Sequence, residues 1–225
     1  MLFRSAMPRL LFEKTGNAIW ISHLDLMRLF QRAFKRAGLP LTHTQGFNPR
    51  PSVSIALPLS VGVESACELL DFDLDGAESS CEEMMERLNP ALVEGVRVLK
   101  VYEDARKIKH LAYLDCEVIL EYDAGVPVQA AQRIQALFDQ SEILVEKKGK
   151  NGITIQDIKP MIRKFSLTEA DSNTLLIAAR VCCQNPTLNP MQIAAAVEKY
   201  LPDCKPDFAK CRRVEIYDTN ETVFR

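Results

Sequence analysis

The order of strand and helix signals in the first half of the chain constrains its fold most. An apolar strand pattern at Arg9–Lys14 is followed by a helix pattern at 22–37, strand patterns at 52–57 and 67–74, a helix at 80–88 and a strand at 95–102. Ser22 and Asp25 are typical of a helix start, and Gly38 of a helix end. This β-α-β-β-α-β order predicts a ferredoxin-like (split βαβ) module.

The second half repeats this order with one additional strand. We predict strands at 113–122, 143–147, 153–162, 173–183 and 212–217 and helices at 127–139 and 190–200. The segment KKGKNG joins two of these strands and is typical of a hairpin turn. The charged segment at 104–110 is the predicted linker between the two halves.

The predicted fold class is therefore α+β. We expect two tandem ferredoxin-like (split βαβ) modules, residues 1–105 and 106–225, the second with an extra hairpin strand. Each module is predicted to be an antiparallel sheet with its helices on one face. In the strand at 95–102, Val96, Val98 and Lys100 alternate, which predicts that they share one face.

The overall charge of the chain hides a division between two neighbouring segments. The 225 residues carry a net charge of −2. Residues 1–50, however, contain eight Lys/Arg against two Asp/Glu, and residues 51–105 contain three against twelve. A basic segment thus precedes an acidic one, whose alternating acids we interpret as a solvated face rather than a metal site.

Several functional classes are excluded by patterns that the sequence lacks. It has no run of 18 apolar residues, which argues against a transmembrane helix, and its start lacks the features of a signal peptide. Its seven cysteines are odd in number and contain no C-x-x-C, which argues against a disulfide framework, a zinc ribbon or an iron–sulfur cluster. We predict a cytoplasmic protein with mostly buried, reduced thiols, no cofactor and no metal. The sequence gives no sign of membrane or DNA binding.

Ser22, His23 and Asp25 form the first candidate site, at the start of the first helix. His23 is a candidate phosphate contact or general acid/base, because a helix N-terminus favours anions. The alternative is that Ser22 and Asp25 cap the helix and leave His23 exposed. Three neighbours on one helical turn do not converge as a triad. We therefore predict an anion site at Ser22 and His23 and no catalytic residue.

The segment QGFNPRP at 45–51 is the second candidate site. Its glycine, asparagine and prolines predict a stiff, exposed loop that presents Phe47 and Arg50. An aromatic ring and a guanidinium on such a loop suit an RNA base and a phosphate. The alternative is a surface loop whose Phe47 packs beneath the helix. We predict that His43, Phe47, Asn48 and Arg50 contact RNA.

Cations of the first helix form the third candidate site, which we also assign to RNA binding: Arg28, Arg32, Lys35 and Arg36. Several cations on one helix supply several phosphate contacts, although such runs are usually solvated faces. A second basic set lies in the second module, where lysines also protect edge strands. Its members are Lys147, Lys148, Lys150, Lys159, Arg163 and Lys164.

The motifs WISHLDLMR, FKRAGLPL, QGFNPRP and GVES resemble the radical SAM-linked family, bacterial proteins encoded alone or as a domain attached to a radical SAM protein. The resemblance spans about residues 8–200 and includes DIKP at 157–160. It implies a radical SAM protein as partner and brings no established activity. Because cluster-binding cysteines are absent, the chain is not itself that enzyme.

Two main functions follow from these observations. The first is a non-catalytic RNA-binding accessory to RNA modification or processing that works with a radical SAM partner. Tandem ferredoxin-like modules recur in RNA-binding proteins, which is an analogy of fold. The alternative is a protein–protein docking module for a radical SAM enzyme without RNA contact. A nuclease that uses His23 or His43 as acid or base is a third hypothesis.

Overall fold

The computed structural model describes residues 7–76, 79–103, 105–149 and 152–225, and the chain divides into two compact units. Unit 1 comprises Met1–His110 together with Phe224–Arg225, and unit 2 comprises Leu111–Val223. Each unit is α+β, with strands that pair in antiparallel fashion. No helix in the described ranges is long and apolar enough to cross a membrane.

Unit 1 has the predicted order of strands and helices. Its elements are β1 (Arg9–Lys14), α1 (His23–Arg36), β2 (Val53–Ala56), β3 (Glu64–Phe72), α2 (Cys81–Leu88) and β4 (Val96–Tyr102). Strand β1 pairs with β4 on one side and β3 on the other, and β2 pairs with β3. The strand order is therefore β4-β1-β3-β2, antiparallel throughout.

The core of unit 1 combines one face of these strands with both helices. Phe12 of β1 meets Phe30 of α1 edge to face, with ring centroids 4.7 Å apart. Phe34 of α1 lies 4.9 Å from Phe72 of β3, and Met84 of α2 belongs to the same buried cluster. Helix α1 thus buries its apolar stripe and turns its charged side to solvent.

Strand β4 departs from the predicted alternation. Val96 and Val98 are buried, but Lys100 is exposed and Val101 is buried in its place. The pairing with β1 shifts register at this point, so that β4 contains one extra residue between two rows of the ladder. Because such a bulge moves every later side chain to the opposite face, the prediction that Lys100 shares the face of Val96 and Val98 is wrong.

Phe224 is fully buried in unit 1. The guanidinium carbons of Arg9 and Arg106 lie 5.6 Å and 5.1 Å from the centre of its ring. Arg9 is only 2% exposed and donates hydrogen bonds to both carboxylate oxygens of Asp71 and to the carbonyl of Arg106. The predicted linker residue Arg106 is therefore fixed in unit 1, whereas Asp104 lies outside the described residues.

Unit 2 contains one strand more than the sequence predicts. Its elements are β5 (Leu111–Glu121), α3 (Ala130–Phe138), β6 (Leu144–Gly149), β7 (Gly152–Asp157), β8 (Ile162–Asp171), β9 (Thr174–Cys182), α4 (Met191–Tyr200) and β10 (Phe208–Asp218). Strands β10, β5, β9 and β8 pair in that order. Strands β6 and β7 pair with each other as the predicted hairpin.

The prediction of one strand at 153–162 is wrong, because the chain turns in its middle. The Asp157 carboxylate accepts the N–H groups of Ile143 at 2.9 Å and Lys159 at 3.0 Å. A 3₁₀ turn at Lys159–Met161 follows and contains Pro160, which cannot donate to a strand ladder. Strand β8 begins directly after this turn.

A charged cluster in unit 2 centres on Arg180, which is 8% exposed. Arg180 donates to both carboxylate oxygens of Asp115, at 2.7 and 2.9 Å, and to Glu221 at 2.6 Å. Its guanidinium lies 3.7 Å from the centre of the Tyr217 ring. Burial acts to raise the pKa of Asp115, but hydrogen bonds from Arg180 and Tyr217 and the Arg180 charge hold that pKa below its ordinary value.

All seven cysteines are free thiols, and six of them are buried. Burial raises the pKa of Cys183 and that of Cys211 to about 12. These two thiols therefore stay protonated and unreactive at neutral pH. Their burial agrees with the prediction of mostly buried cysteines.

Candidate nucleic-acid interface

Side chains fix helix α1 at both of its ends. The Ser22 hydroxyl accepts the Asp25 N–H at 3.2 Å and donates to the Asp25 carboxylate at 2.7 Å. At the other end Gly38 adopts a φ of 66°, a conformation that favours glycine. Arg87 of α2 donates to the carbonyls of Ala37 at 2.9 Å and Gly38 at 2.8 Å. The helix is thus a well-anchored support for the side chains on its outer face.

The outer face of α1 carries all four cations predicted for RNA binding. All four are exposed, and Arg28, Lys35 and Arg36 each lie three or four positions from Arg32, whereas Lys35 and Arg36 are adjacent. Spacings of three and four place side chains on one broad helix face. Arg28 forms an ion pair with Asp25 at 2.9 Å. Hydrogen bonds from Ser22 and Arg28 lower the pKa of Asp25, which is thus ionised on this face. Arg36 donates to the carbonyl of Ala91, which fixes its guanidinium beside the helix.

A groove of about 480 Å³ follows one side of α1. Its charged walls are Arg28, Arg32 and Arg36 together with the acid Asp25, and its apolar walls include Leu29 and Val93. Val93 could not be predicted from the sequence, because its segment precedes β4 and no local pattern indicates that it lies beside α1. The groove combines phosphate-binding groups with apolar surface.

The predicted loop is closed at its base and open at its tip. His43 and Pro51 form an isolated antiparallel bridge. The Thr44 N–H donates to the Arg50 carbonyl at 2.9 Å, and the Thr44 hydroxyl accepts the Arg50 N–H at 3.0 Å. Phe47 is fully exposed at the tip. The alternative in which Phe47 packs beneath the helix is therefore wrong.

The base of the loop and the C-terminal half of α1 line one groove of about 450 Å³. Lys35 and Gln31 contribute from the helix, and His43 and Pro51 from the loop. The structure therefore brings together two sets of residues that the sequence analysis had identified separately. Gln31 is a further polar residue of this site that the sequence analysis missed.

The opposite side of the loop is acidic. Asp73 and Asp75 line a groove of about 620 Å³ with His43 and Gln45. The Thr42 hydroxyl donates to the Asp73 carboxylate at 3.0 Å, which fixes that acid. Because carboxylates repel phosphates, the loop separates a side that attracts a nucleic-acid backbone from a side that repels it.

The remaining predicted residues lie on the same unit. Asn48 and Arg50 are exposed on the loop, and His23 is partly exposed in the first turn of α1. The Ser22 hydroxyl is engaged with Asp25, whose carboxylate already lies at the helix N-terminus. This geometry matches the capping alternative, and an anion site at Ser22 and His23 stays a prediction.

A family model matches residues 8–190, and the family is described as an uncharacterized protein conserved in bacteria (DUF2344). The chain belongs to this family. The DUF2344 match includes all of α1 and the loop at 45–51. Its description does not link the family to radical SAM proteins. Comparison with curated proteins gives no match.

Two solved structures resemble this DUF2344 chain. A chain of the crystal structure of a Cbf5-Nop10-Gar1 complex has a TM-score of 0.54 at 9% identity, over 93% of this chain and 49% of that chain. A chain of the structure of H/ACA RNP bound to a substrate RNA containing 2′-deoxyuridine has a TM-score of 0.49 at 8% identity, over 92% of this chain and 46% of that chain. At 9% identity the similarity to the first of these chains is one of fold alone. The DUF2344 chain spans about half the length of the chains that it matches.

Three members of the second basic set of the DUF2344 chain are engaged in contacts within the protein, whereas Lys147 is exposed. Lys159 donates to a main-chain carbonyl of α3, Lys164 pairs with an acid, and Arg163 lies over an aromatic ring. The side chain of Lys148 and the whole of Lys150 lie outside the described residues. Among the residues that are described, no group of three His, Cys, Asp or Glu side chains is arranged to hold a metal ion.

Proposed function

We propose that this protein binds RNA with one face of unit 1, formed by the outer side of α1 and the loop at 45–51. The observation that carries the proposal is the full exposure of Phe47 on a closed loop whose base shares a groove with Lys35. An aromatic ring that no protein group covers suits stacking on a nucleobase. Cations beside it suit the phosphates of the same strand. We assign the protein a binding role and no catalytic step.

The distribution of charge around the loop supports one orientation of the RNA. Arg32 and Lys35 lie on the α1 side, and Asp73 and Asp75 lie on the other. We therefore infer that the phosphate backbone follows α1 and that a base reaches Phe47 at the tip. The carboxylates of Asp73 and Asp75, in the groove beside His43 and Gln45 at the base of the loop, repel the backbone from that groove.

The number of cations sets the expected salt dependence of binding. The surface has five of them: Arg28, Arg32, Lys35, Arg36 and Arg50. Single strands show a slope of roughly −0.7 per neutralised phosphate in a plot of log K against log salt. If every cation contacts one phosphate, the slope is about −3.5.

Fluorescence anisotropy with a labelled single-stranded RNA, measured over a range of salt concentrations, tests the proposal. The variant Arg32→Glu/Arg50→Glu should bind much more weakly and reduce the slope to about −2.1. The matched control Arg97→Glu/Arg212→Glu makes the same change in net charge, from −2 to −6, at exposed arginines of β4 and β10. It should bind almost as the wild type does. Absence of binding at low salt, or equal losses in both variants, would contradict an RNA-binding face on unit 1.

The finer description of the fold is also a proposal. We infer that each unit is a ferredoxin-like (split βαβ) module and that the modules correspond to residues 1–105 and 106–225. Support comes from the equivalent strand orders, β4-β1-β3-β2 in unit 1 and β10-β5-β9-β8 in unit 2, with the β6–β7 hairpin inserted after α3. A crystal structure of the full chain should show these two strand orders, and a different order in either unit would contradict the proposal.

A radical SAM protein as partner rests on the sequence resemblance alone. We keep it, with a cytoplasmic location, as a proposal, since the free cysteines suit a reducing compartment. Affinity capture from bacterial lysate, with and without ribonuclease, should recover a protein that carries a radical SAM cluster motif. If the radical SAM protein is still captured after ribonuclease treatment, and is captured equally well by the variant Arg32→Glu/Arg50→Glu, the result would favour docking without RNA.

A further inference from the structure

Trp20 is the single tryptophan of the chain, and its side chain is 64% exposed. It ends a 3₁₀ turn at Gly16–Trp20 that leads directly into α1. Leu24, in the first turn of α1, and Val61 are also largely exposed. Trp20, Leu24 and Val61 therefore expose apolar surface that the RNA contacts proposed above do not include.

The turn that presents Trp20 is held from the protein interior. Lys14, whose side chain is buried, donates to the carbonyl of Ile19 at 3.0 Å. The same carbonyl accepts the N–H of Gly62 at 2.9 Å. A Cβ atom on Gly62 would lie 3.4 Å from the indole ring, so that the backbone of Gly62 supports part of the ring. The indole is thus positioned by the protein and still presents most of its surface to solvent.

The outer face of α1 connects this ring to the proposed RNA site. Leu24, Arg28, Arg32 and Lys35 succeed one another at intervals of three or four residues, which places them on one face. Trp20 lies before the first turn, and the loop with Phe47 adjoins the C-terminal half of the helix. The 14 residues of α1 span about 21 Å, which is the length of about six stacked nucleotides. Two exposed aromatic rings therefore bracket a line of cations.

We propose that Trp20 is a second base-stacking residue and that the RNA bound by this protein is single-stranded, with its backbone along α1 and bases stacked on Trp20 and Phe47. This inference rests on the RNA-binding function proposed above. A single strand turns its bases outward to both rings, whereas the bases of a duplex are already stacked and paired. Three cations lie between the two rings, Arg28, Arg32 and Lys35, and the acid of this face, Asp25, is paired with Arg28. The resulting positive charge favours a nucleic acid over an apolar protein segment as the occupant.

Because Trp20 is the sole tryptophan, its fluorescence reports on this position alone. The full chain is titrated with a single-stranded oligouridine of about 12 nucleotides and, separately, with an RNA hairpin of equal length whose stem is fully paired. We expect the single strand to quench the tryptophan emission with the same midpoint as the anisotropy change, and the hairpin to quench little. Trp20→Ala should weaken binding of the single strand about 5- to 150-fold, and Trp20→Phe should restore most of it.

The outcomes separate this inference from the proposed function. An anisotropy change without quenching, or normal affinity of Trp20→Ala, overturns the role of Trp20 and leaves RNA binding intact. Equal quenching by the paired hairpin overturns the preference for single strands. Absence of any anisotropy change at low salt overturns the proposed function itself. Since the Trp20 side chain is mostly exposed, melting curves of both variants should match the wild type and show that they fold.

Discussion

Replacing Arg180 with methionine should destabilise the protein by about 3 kcal/mol, because it breaks a largely buried ion pair. The guanidinium makes two hydrogen bonds to Asp115 and one to Glu221 and covers the Tyr217 ring. Methionine fills a similar volume, so that loss of packing is a minor part of the cost. Removing one partner of a buried pair costs about 3–5 kcal/mol. We expect the lower end of this range, because Asp115 and Glu221 are partly exposed and regain water.

Urea unfolding followed by circular dichroism measures this loss, and the melting temperature should fall by about 6–12 °C, at 2–4 °C per kcal/mol for a chain of this size. The matched control is Lys164→Met, which removes an exposed cation that also pairs with Glu221 and should cost less than about 1 kcal/mol. Adding Asp115→Asn to Arg180→Met should recover part of the loss, because no uncompensated carboxylate then remains at that position. If Arg180→Met costs no more than Lys164→Met, or if adding Asp115→Asn increases the loss of stability, the ion pair does not stabilise the fold as described.

Three further predictions follow from the described contacts. Because the pKa of Asp115 is lowered in the folded state, its ionised form stabilises the protein above about pH 4, and this contribution is lost as the pH falls through the folded pKa. Asp115→Asn should therefore flatten the acid limb of a stability curve measured by urea unfolding. Gly95→Ala should lower the melting temperature far more than Gly16→Ala does. Both glycines have a positive φ, so that alanine strains the backbone at either position. A Cβ atom at Gly95 would in addition lie 2.3 Å from the Thr15 carbonyl oxygen, whereas one at Gly16 would meet nothing within 4 Å. Thr44→Val removes the hydroxyl that closes the base of the loop and should weaken RNA binding in the anisotropy assay while the melting temperature stays unchanged.

The helices and strands of unit 1 could be predicted from the sequence because local signals define their ends. Ser22 and Gly38 cap α1 as the pattern predicts. Ser80 forms a complete capping box with Glu83 at the start of α2. Such signals involve residues only a few positions apart, so that no knowledge of tertiary structure is required.

Strand β8 was missed for a physical reason. It pairs with β9 within unit 2, and most of its side chains are exposed, so that a regular alternation of apolar and polar residues is absent. Its backbone hydrogen bonds to β9 define it instead, and these come from a distant part of the chain. The bulge that exposes Lys100 was not predicted for the same reason, because it depends on the register between β4 and the distant strand β1.

Only part of the candidate site could be predicted from the sequence. The four cations of α1 follow from helical spacing, and all four are exposed. Whether Phe47 is buried against the helix or exposed to solvent depends on how the loop closes. Thr44 closes the loop through hydrogen bonds to Arg50 on its other side. The exposure of Trp20 was likewise hidden, because apolar residues surround it in the sequence and typically indicate a buried segment.

The position of Phe224 affects the order in which unit 1 becomes complete during synthesis. The ribosome adds this residue after the whole of unit 2, yet its ring lies under the guanidinium groups of Arg9 and Arg106 in unit 1. Although domains of nascent chains generally fold from the N-terminus onward, unit 1 is completed by a side chain that is translated after unit 2. A fragment that stops at residue 110 would therefore leave Arg9 without its aromatic cover, and studies of the RNA-binding face are best made on a chain that retains residue 224.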